Sequence, residues 1–163
     1  MVEIARLPVD RWEEVKRLRL EALRTDPAAF GSSPEEDEAL PEAEWKRRMP
    51  NSLFAISDDK PVGMIAFLFG NRAKSKHIAD IFAVYVTPGQ RGKGVGTLLL
   101  ETTLSEIRRN KEIRKIKLMV NPEQRAAVRL YKAAGFVVAG KAKREFKVGR
   151  RYVDMVYMEK ELR

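Results

Sequence analysis

The most regular feature of this chain is a series of short apolar runs separated by polar turns. Leu53–Ser57 and Val62–Phe69 are divided by the turn cluster Asp58-Asp59-Lys60-Pro61, which predicts a hairpin. Ile78–Val86 is the most apolar stretch and is rich in β-branched and aromatic residues, which predicts a central strand. Further strands are predicted at residues 2–7, at Ile116–Val120, and at Phe136–Lys147 and Arg151–Lys160 around Val148-Gly149-Arg150.

Helical segments show apolar residues three and four positions apart. Val15, Leu18 and Ala22 predict a helix that begins at a capping box of Asp10 and Glu13 and ends near Arg24. Between residues 25 and 50, prolines and acidic clusters predict loops around one helix that begins with Pro41 at its first position. Two more helices are predicted, one from Gly96 to Ile107 and one from Ala127 to Ala134 that stops at Gly135 before the apolar Phe136.

The order of these elements is β-α-α-β-β-β-α-β-α-β-β, which predicts a layered α/β domain with a mixed sheet. At 163 residues, with 44% hydrophobic and 34% charged residues, the chain is expected to form a single globular domain over residues 1–163. It contains no cysteine, so disulfides and thiol nucleophiles are excluded and a reducing cytoplasm is the default expectation. Neither a signal peptide nor a membrane span is predicted.

The formal net charge of +9 predicts an anionic partner, either nucleic acid or a phosphorylated cofactor, unless the cations only solvate the surface. The cluster Lys141-Ala142-Lys143-Arg144 raises the question of nucleic acid, but no recognisable nucleic-acid-binding module accompanies it. The single histidine, His77, is interpreted as a residue at the entry of a strand, and no metal site is predicted.

A basic glycine loop follows the central strand, with the sequence TPGQRGKGVGTLLL from Thr87 to Leu100. A Walker A loop is excluded because Gly92-Lys93 is followed by Gly94. A dinucleotide fingerprint fits poorly, since no acidic residue closes a strand about 20 residues further on. What remains is a strand, a glycine turn and the start of a helix. Such a unit can present backbone N–H groups to an anion, or it can be a tight connection without a ligand.

Two motifs resemble those of the GNAT superfamily of acetyltransferases. Val84-Tyr85-Val86-Thr87-Pro88 with Arg91-x-x-Gly94-x-Gly96 is similar to its acetyl-CoA signature, and Leu130-Tyr131-Lys132-Ala133-Ala134-Gly135-Phe136 is similar to its second motif. The resemblance extends over the whole chain. It implies a mixed, mostly antiparallel sheet of six to seven strands flanked by about four helices. It also implies direct transfer of acetyl from acetyl-CoA to a primary amine of a small molecule or a protein.

The resemblance also implies which residues hold the cofactor. The backbone amides of the glycine loop would bind the pyrophosphate, Arg91 and Lys93 would add charge, and strand residues would offer backbone groups to the pantetheine arm and the thioester carbonyl. Either Asn121 or Gln124 would contact the pantetheine arm, because many members carry asparagine where this chain has Gln124. The implied cofactor residues are Val84, Tyr85, Val86, Arg91, Gly92, Lys93, Gly94, Val95, Gly96, Thr97, Asn121, Gln124 and Tyr131.

For the chemistry, the resemblance implies that Tyr131 protonates the departing thiolate, although its position also suits a packing residue. Asp80 is a candidate general base acting through water, with its pKa raised by apolar surroundings, or else an ordinary strand-end carboxylate. Met119 stands where some members carry a catalytic glutamate, so that route is closed.

The acceptor would be held by residues 26–50 and by the last hairpin at 147–152. Phe30 and Tyr152 are candidate wall residues or, equally, core residues. The cluster Glu35-Glu36-Asp37-Glu38 would attract an amine or simply face solvent. No membrane partner is expected, nucleic acid is not favoured, and a homodimer is left open. The alternatives are a basic nucleic-acid-binding protein and a silent acyl-CoA-binding relative.

Overall fold

The computed structural model describes residues 1–162, which form seven strands and five α-helices. The strands make one sheet in the order β1-β2-β3-β4-β5-β7-β6. This confirms the predicted mixed, mostly antiparallel sheet, with one short helix more than expected. The elements are β1 (Glu3–Ala5), α1 (Trp12–Thr25), α2 (Pro34–Glu38), α3 (Glu42–Arg48), β2 (Ser52–Ser57), β3 (Lys60–Phe69), β4 (Ile78–Val86), α4 (Val95–Arg109), β5 (Lys115–Val120), α5 (Arg125–Ala133), β6 (Val137–Val148) and β7 (Arg151–Glu161).

The chain divides into two compact units. The first unit contains Met1–Ala66 and Ala83–Leu104, and the second contains Phe67–Phe82 and the chain from Ser105 onward. The expectation of a single domain over the whole chain stays a prediction. Within the described residues, no helix combines the length and apolarity needed to cross a bilayer.

In the first unit, β2 pairs antiparallel with β1 and with β3. Asp58 and Asp59 form the turn of the predicted hairpin, with φ of 49° and 59°, which are the left-handed values of a tight two-residue hairpin loop. Helices α1 and α3 cover the core of this unit, because their apolar stripes bury side chains against β2 and β3 residues of the same cluster. The largest of these buried side chains include Leu23, Trp45, Met49 and Phe54.

Two helix starts in this unit differ from the prediction. Asp10 lies inside a 3₁₀ turn, Val9–Arg11, so α1 begins at Trp12 without a side-chain cap, and the capping box is wrong. Instead, Arg11 Nε lies 2.6 Å from a Glu14 carboxylate oxygen across the first turn. Pro41 is the N-cap residue of α3 and not its first helical residue.

The acidic segment after α1 forms the unpredicted helix α2. Ser33 caps it, with its Oγ accepting a hydrogen bond from the Glu36 N–H at 3.2 Å. Asp37 is buried, and its carboxylate accepts a hydrogen bond from Arg19 Nε at 2.9 Å. The segment is therefore more than a solvated acidic face, because one of its carboxylates holds α2 to α1.

In the second unit, β5 pairs in parallel with the start of β4 and antiparallel with β7, which forms the long terminal hairpin with β6. Helix α5 ends at Ala133, and Gly135 shortly after it has a φ of +95°, the left-handed value typical of glycine after a helix. The Phe136 N–H donates to the Tyr131 carbonyl at 3.0 Å, and the Phe136 side chain is buried. The predicted glycine stop is confirmed.

Candidate active site

The glycine loop connects β4 to α4 by a backbone path that requires glycine at two positions. Gly92 and Gly94 have φ of +73° and +83°, values that L side chains rarely adopt. The first hydrogen bond of α4 runs from the Leu98 N–H to the Gly94 carbonyl at 3.0 Å. The three preceding amides, of residues 95–97, are the orphan donors of the helix N-terminus, where the helix dipole also favours an anion.

The space over this loop is open. A Cβ built on Gly89, Gly92 or Gly94 meets no protein atom within 4 Å. Residues 91–94 are exposed, and Lys93 carries its charge there without an ion pair among the described residues. The loop therefore fits a phosphate-bearing group such as the pyrophosphate of acetyl-CoA, through its backbone donors and one free cation.

Arg91 is held by the protein itself. Its Nε donates to the Val86 carbonyl at 2.8 Å, and its guanidinium pairs with Asp26 at 2.9 Å. The guanidinium also lies over the ring of Tyr85, with 5.4 Å between its carbon and the ring centroid. Arg91 thus ties the glycine loop to the end of β4 and to the segment after α1.

Tyr85 is the centre of the buried part of this arrangement. Its hydroxyl donates to a Glu21 carboxylate oxygen at 2.8 Å, and its ring packs edge-on to Phe30 with centroids 6.5 Å apart. Burial above all raises the pKa of Tyr85. Phe30, expected as an acceptor-wall candidate, is a core residue here, and the Arg19 guanidinium covers its ring at 4.9 Å. None of these partners of Tyr85 could be predicted from local sequence patterns.

Strand β4 is irregular where the residues predicted to bind the cofactor begin. Ala83 has a φ of 55°, a left-handed value that is uncommon for a residue with a side chain. Val84, Tyr85 and Val86 follow it directly. An αL residue inside a strand interrupts the regular ladder and leaves neighbouring backbone groups for other partners.

Tyr131 lies on α5 in the second unit and is 4% exposed. Its ring packs edge-on against Phe136 at a centroid distance of 6.0 Å. Burial raises the pKa of the Tyr131 phenol above its ordinary value near 10. The phenol therefore stays protonated at neutral pH, and it is a weaker acid than a free tyrosine.

Asn121 and Gln124 differ in how free their side chains are. Asn121 is buried, and its Oδ1 accepts a hydrogen bond from the Glu123 N–H at 2.9 Å in the turn before α5. Gln124 is half-buried at the N-cap of α5, and its side chain makes no capping hydrogen bond. Of the two amides, that of Gln124 is the one available to a ligand.

Asp80 does not have the apolar surroundings expected of it. Its side chain is 48% exposed, and its carboxylate lies 3.6 Å from the Lys117 ammonium on β5. The expected environment was wrong because Asp80 and Lys117 are register partners on adjacent parallel strands. Met119, two residues further along β5, is exposed at 37%.

Tyr152, the second acceptor-wall candidate, is 56% exposed on the terminal hairpin. Arg144 and Lys147 lie over its ring at 6.0 and 5.9 Å. Across residues 1–162, no group of three His, Asp or Glu side chains is placed to hold a metal ion.

The sheet order and the glycine turn ahead of α4 define an α/β protein with a strand–loop–helix unit whose geometry suits an anion. A model of the Acetyltransferase (GNAT) family matches residues 12–136, so the chain belongs to that family. This confirms the family that the two motifs indicated.

Two curated relatives bear N-acetyltransferase names. An uncharacterized N-acetyltransferase of Methanocaldococcus jannaschii is 32% identical over 96 residues, which cover 56% of this chain and 42% of that protein. The chain thus spans less than half the length of this relative. The L-amino acid N-acetyltransferase of Escherichia coli K12 is 26% identical over 119 residues, which cover 70% of this chain and 73% of that protein.

Solved structures share the fold. A GNAT-family acetyltransferase from Streptococcus pneumoniae aligns with a TM-score of 0.87 at 24% identity, covering 99% of this chain and 100% of the other. A Salmonella typhimurium protein solved with its cofactor acetyl-CoA aligns with a TM-score of 0.83 at 19% identity, covering 100% of this chain and 95% of the other.

Proposed function

We propose that this protein is an acetyl-CoA-dependent N-acetyltransferase that acts on a primary amine of a small molecule or a protein. The observation that carries the proposal is the glycine loop, in which left-handed Gly92 and Gly94 border open space and precede three amides without an intrahelical partner. Family membership and relatives named as N-acetyltransferases support it. Acetyl-CoA, when bound, supplies an acetyl group as a thioester, and transfer forms a C–N bond and breaks the C–S bond.

The first unit would bind and orient the cofactor. The amides of residues 92–97 would hold the phosphates, with Lys93 as the free cation. Arg91 would keep the loop in position through Asp26 and the Val86 carbonyl. Backbone groups of residues 84–86, beside the irregular Ala83, would orient the pantetheine arm.

Residues of the second unit would donate and accept the protons of the reaction. The Tyr131 phenol holds a proton on its oxygen and would donate it to the departing thiolate. Gln124 would contact the pantetheine arm in preference to Asn121, whose Oδ1 is engaged in the turn before α5. Asp80 stays a candidate for receiving the amine proton through water, from an exposed position beside Lys117.

Two assays test this proposal. The first is release of free thiol from acetyl-CoA over a panel of amino acids, polyamines, aminoglycosides and peptide amines. The second is the melting temperature with acetyl-CoA at about 100 times its Kd, where specific binding adds about 2.7 kcal/mol of stability. A melting temperature that does not change with acetyl-CoA, together with no thiol release for any amine, would refute the proposal.

Tyr131→Phe removes only the phenolic oxygen and separates catalysis from binding. We expect kcat to fall by about 100-fold or more, while the acetyl-CoA-induced rise in melting temperature is retained. Tyr157→Phe, at a 43% exposed tyrosine of β7, is the matched control and should leave kcat unchanged. Because the pKa of Tyr131 is raised, its ionisation should not lower kcat between about pH 7 and pH 9. If Tyr131→Phe retains full kcat, the protein has another proton donor or the phenol is a packing group.

A further inference from the structure

Three separate segments of the second unit meet at the amino-terminal ends of β4 and β5. The loop 70–77 leads into β4, the segment 108–115 connects α4 to β5, and residues 160–162 end β7. The N–H groups of Arg114 and Lys115 both donate to the His77 carbonyl, at 2.8 and 3.1 Å. The Leu162 N–H donates to the Arg114 carbonyl at 2.7 Å. These bonds hold the three segments together as one surface, which we call the basic end.

The basic end is far more positive than the chain as a whole. Its three segments carry nine Lys and Arg side chains and only two carboxylates, those of Glu112 and Glu161. The whole chain, by comparison, has 32 Lys and Arg against 23 Asp and Glu. Much of the net charge of +9 is therefore concentrated here.

A concave site lies within the basic end. A cavity of about 290 Å³ is lined by Arg108, Lys111, Arg114 and Lys160, together with Asn110. Its floor is ordered, because the Asn110 side chain accepts a hydrogen bond from the Glu112 N–H at 3.0 Å, and the Arg114 guanidinium donates to the Lys111 carbonyl at 2.6 Å. These two bonds fix the loop that carries Lys111 and Arg114 between α4 and β5.

Three of these cations have no carboxylate partner, although the Lys160 ammonium lies close to Gly135 after α5. Among residues 1–162, Arg108, Lys111 and Lys160 make no ion pair, whereas the neighbouring Lys115 is paired with Glu159 at 2.7 Å. The C-terminus of α4 favours cations in its last turn, which accounts for Arg108 and Arg109. It does not account for the three exposed cations of the loop 70–77, so the helix dipole alone does not explain the surface.

We infer that the basic end binds the phosphodiester backbone of nucleic acid. Its cations come from three segments and form an extended surface, which suits a chain of phosphates better than a single small anion. None of the large exposed apolar side chains lies within these three segments, and only Leu68 and Phe69 directly precede one of them, so the surface is predominantly cationic and not amphipathic. The inference is independent of the proposed acetyl transfer.

The sequence did not favour nucleic acid because it offered no module and only one cationic cluster, at 141–144. In the structure, Lys141 of that cluster lies 3.3 Å from the Asp154 carboxylate. The basic end is assembled from segments that lie about 90 residues apart in the chain, from the loop 70–77 to residues 160–162. No local sequence pattern can show that such distant segments come together.

The test is fluorescence anisotropy of the full chain with a labelled 20-nucleotide RNA, using the triple variant Lys74→Glu, Arg108→Glu and Lys111→Glu. We expect its affinity for the RNA to fall by tenfold or more and the slope of log K against log salt to become shallower by about two. The acetyl-CoA-induced rise in melting temperature should be unchanged, which shows that the variant is folded and separates this inference from the proposed function.

The matched control makes the same change of net charge on the terminal hairpin, with Lys143→Glu, Lys147→Glu and Arg150→Glu. It should bind the RNA within threefold of the parent. Equal losses in both triple variants would show a general effect of net charge and overturn the inference. Binding of polyglutamate as tight as that of RNA, or of phosphatidylserine vesicles without RNA binding, would overturn it as well.

A measurement on the unmodified protein covers the case in which the triple variant does not fold. Hydrogen exchange with and without the RNA should show slower exchange in residues 70–77 and 108–115. Protection confined to other segments would contradict the inference.

Discussion

The two segments at the ends of α4 are both cationic, but the proposals have them bind anions by different means. The glycine loop precedes the helix and offers backbone amides, while its arginine, Arg91, is occupied by Asp26 and the Val86 carbonyl. The segment 108–115 begins in the last turn of the helix, and its Arg108 and Lys111 side chains make no ion pair among the described residues. The helix explains the difference, because its N-terminus has free N–H groups and a positive dipole end, while its C-terminus has neither. An anion near the C-terminus can be held only by lysine and arginine side chains.

Salt should separate the two sites most strongly. Raising the salt concentration from about 50 to 200 mM should weaken RNA binding at the basic end by about 20-fold, if three phosphates are neutralised by side chains. Acetyl-CoA binding, which relies mainly on fixed backbone donors, should weaken by less than about threefold under the same change. Anisotropy and melting-temperature titrations measure the two affinities. A similar salt dependence for both ligands would remove the distinction between backbone and side-chain binding.

Gly94→Ala tests whether the backbone conformation of the glycine loop is needed to bind acetyl-CoA. Alanine at a φ of +83° costs about 1–2 kcal/mol, and relief of that strain would turn the orphan amides away from their common direction. We expect acetyl-CoA affinity to fall by about tenfold, measured by calorimetry. Gly89→Ala is the control, since Gly89 does not have a positive φ and a Cβ there meets nothing within 4 Å. If both variants lose acetyl-CoA affinity equally, the left-handed conformation at Gly94 is not required for binding.

Arg91→Gln tests whether a side chain of the glycine loop also contributes to acetyl-CoA binding. Because the guanidinium is held inside the protein, we expect acetyl-CoA affinity to fall by less than about fivefold. The free energy of unfolding should fall by about 1 kcal/mol with the loss of the Asp26 pair and the Val86 hydrogen bond. Lys93→Gln, at an exposed cation, should leave the free energy of unfolding unchanged. A 100-fold loss of affinity in Arg91→Gln, without a change in stability, would instead place the guanidinium on the phosphates.

Tyr85→Phe should give the smallest effect. It removes the hydroxyl that donates to Glu21 and keeps the ring beneath Arg91 and beside Phe30. We expect a loss of about 1 kcal/mol in unfolding free energy by urea denaturation, with acetyl-CoA affinity unchanged within twofold. A change in affinity larger than the change in stability would show that the Tyr85 hydroxyl orients the glycine loop.

Much of the fold follows from local patterns. The bounds of β4 agree with the apolar run Ile78–Val86, and the turns at Asp58-Asp59 and Gly149 lie where polar clusters separate apolar runs. The stop at Gly135 followed because only a residue tolerant of a left-handed φ ends a helix in that way. The start of α1 and the helix α2 could not be predicted. The first depends on a 3₁₀ turn at Val9–Arg11, and the second on the buried pairing of Asp37 with Arg19.

For the candidate site, the sequence by itself determined which residues act through their backbone conformation or their position in a helix. Gly92 and Gly94 define the turn without side-chain partners, because glycine adopts a left-handed φ without steric cost. The position of Tyr131 on α5 follows from helical periodicity. Only the tertiary structure decided which charges are free. It bound Arg91 to Asp26 and paired Asp80 with Lys117, while Arg108, Lys111 and Lys160 were left without ion pairs among the described residues. The physical reason is that an ion pair depends on distance in space between residues far apart in the chain, which the order of residues does not specify.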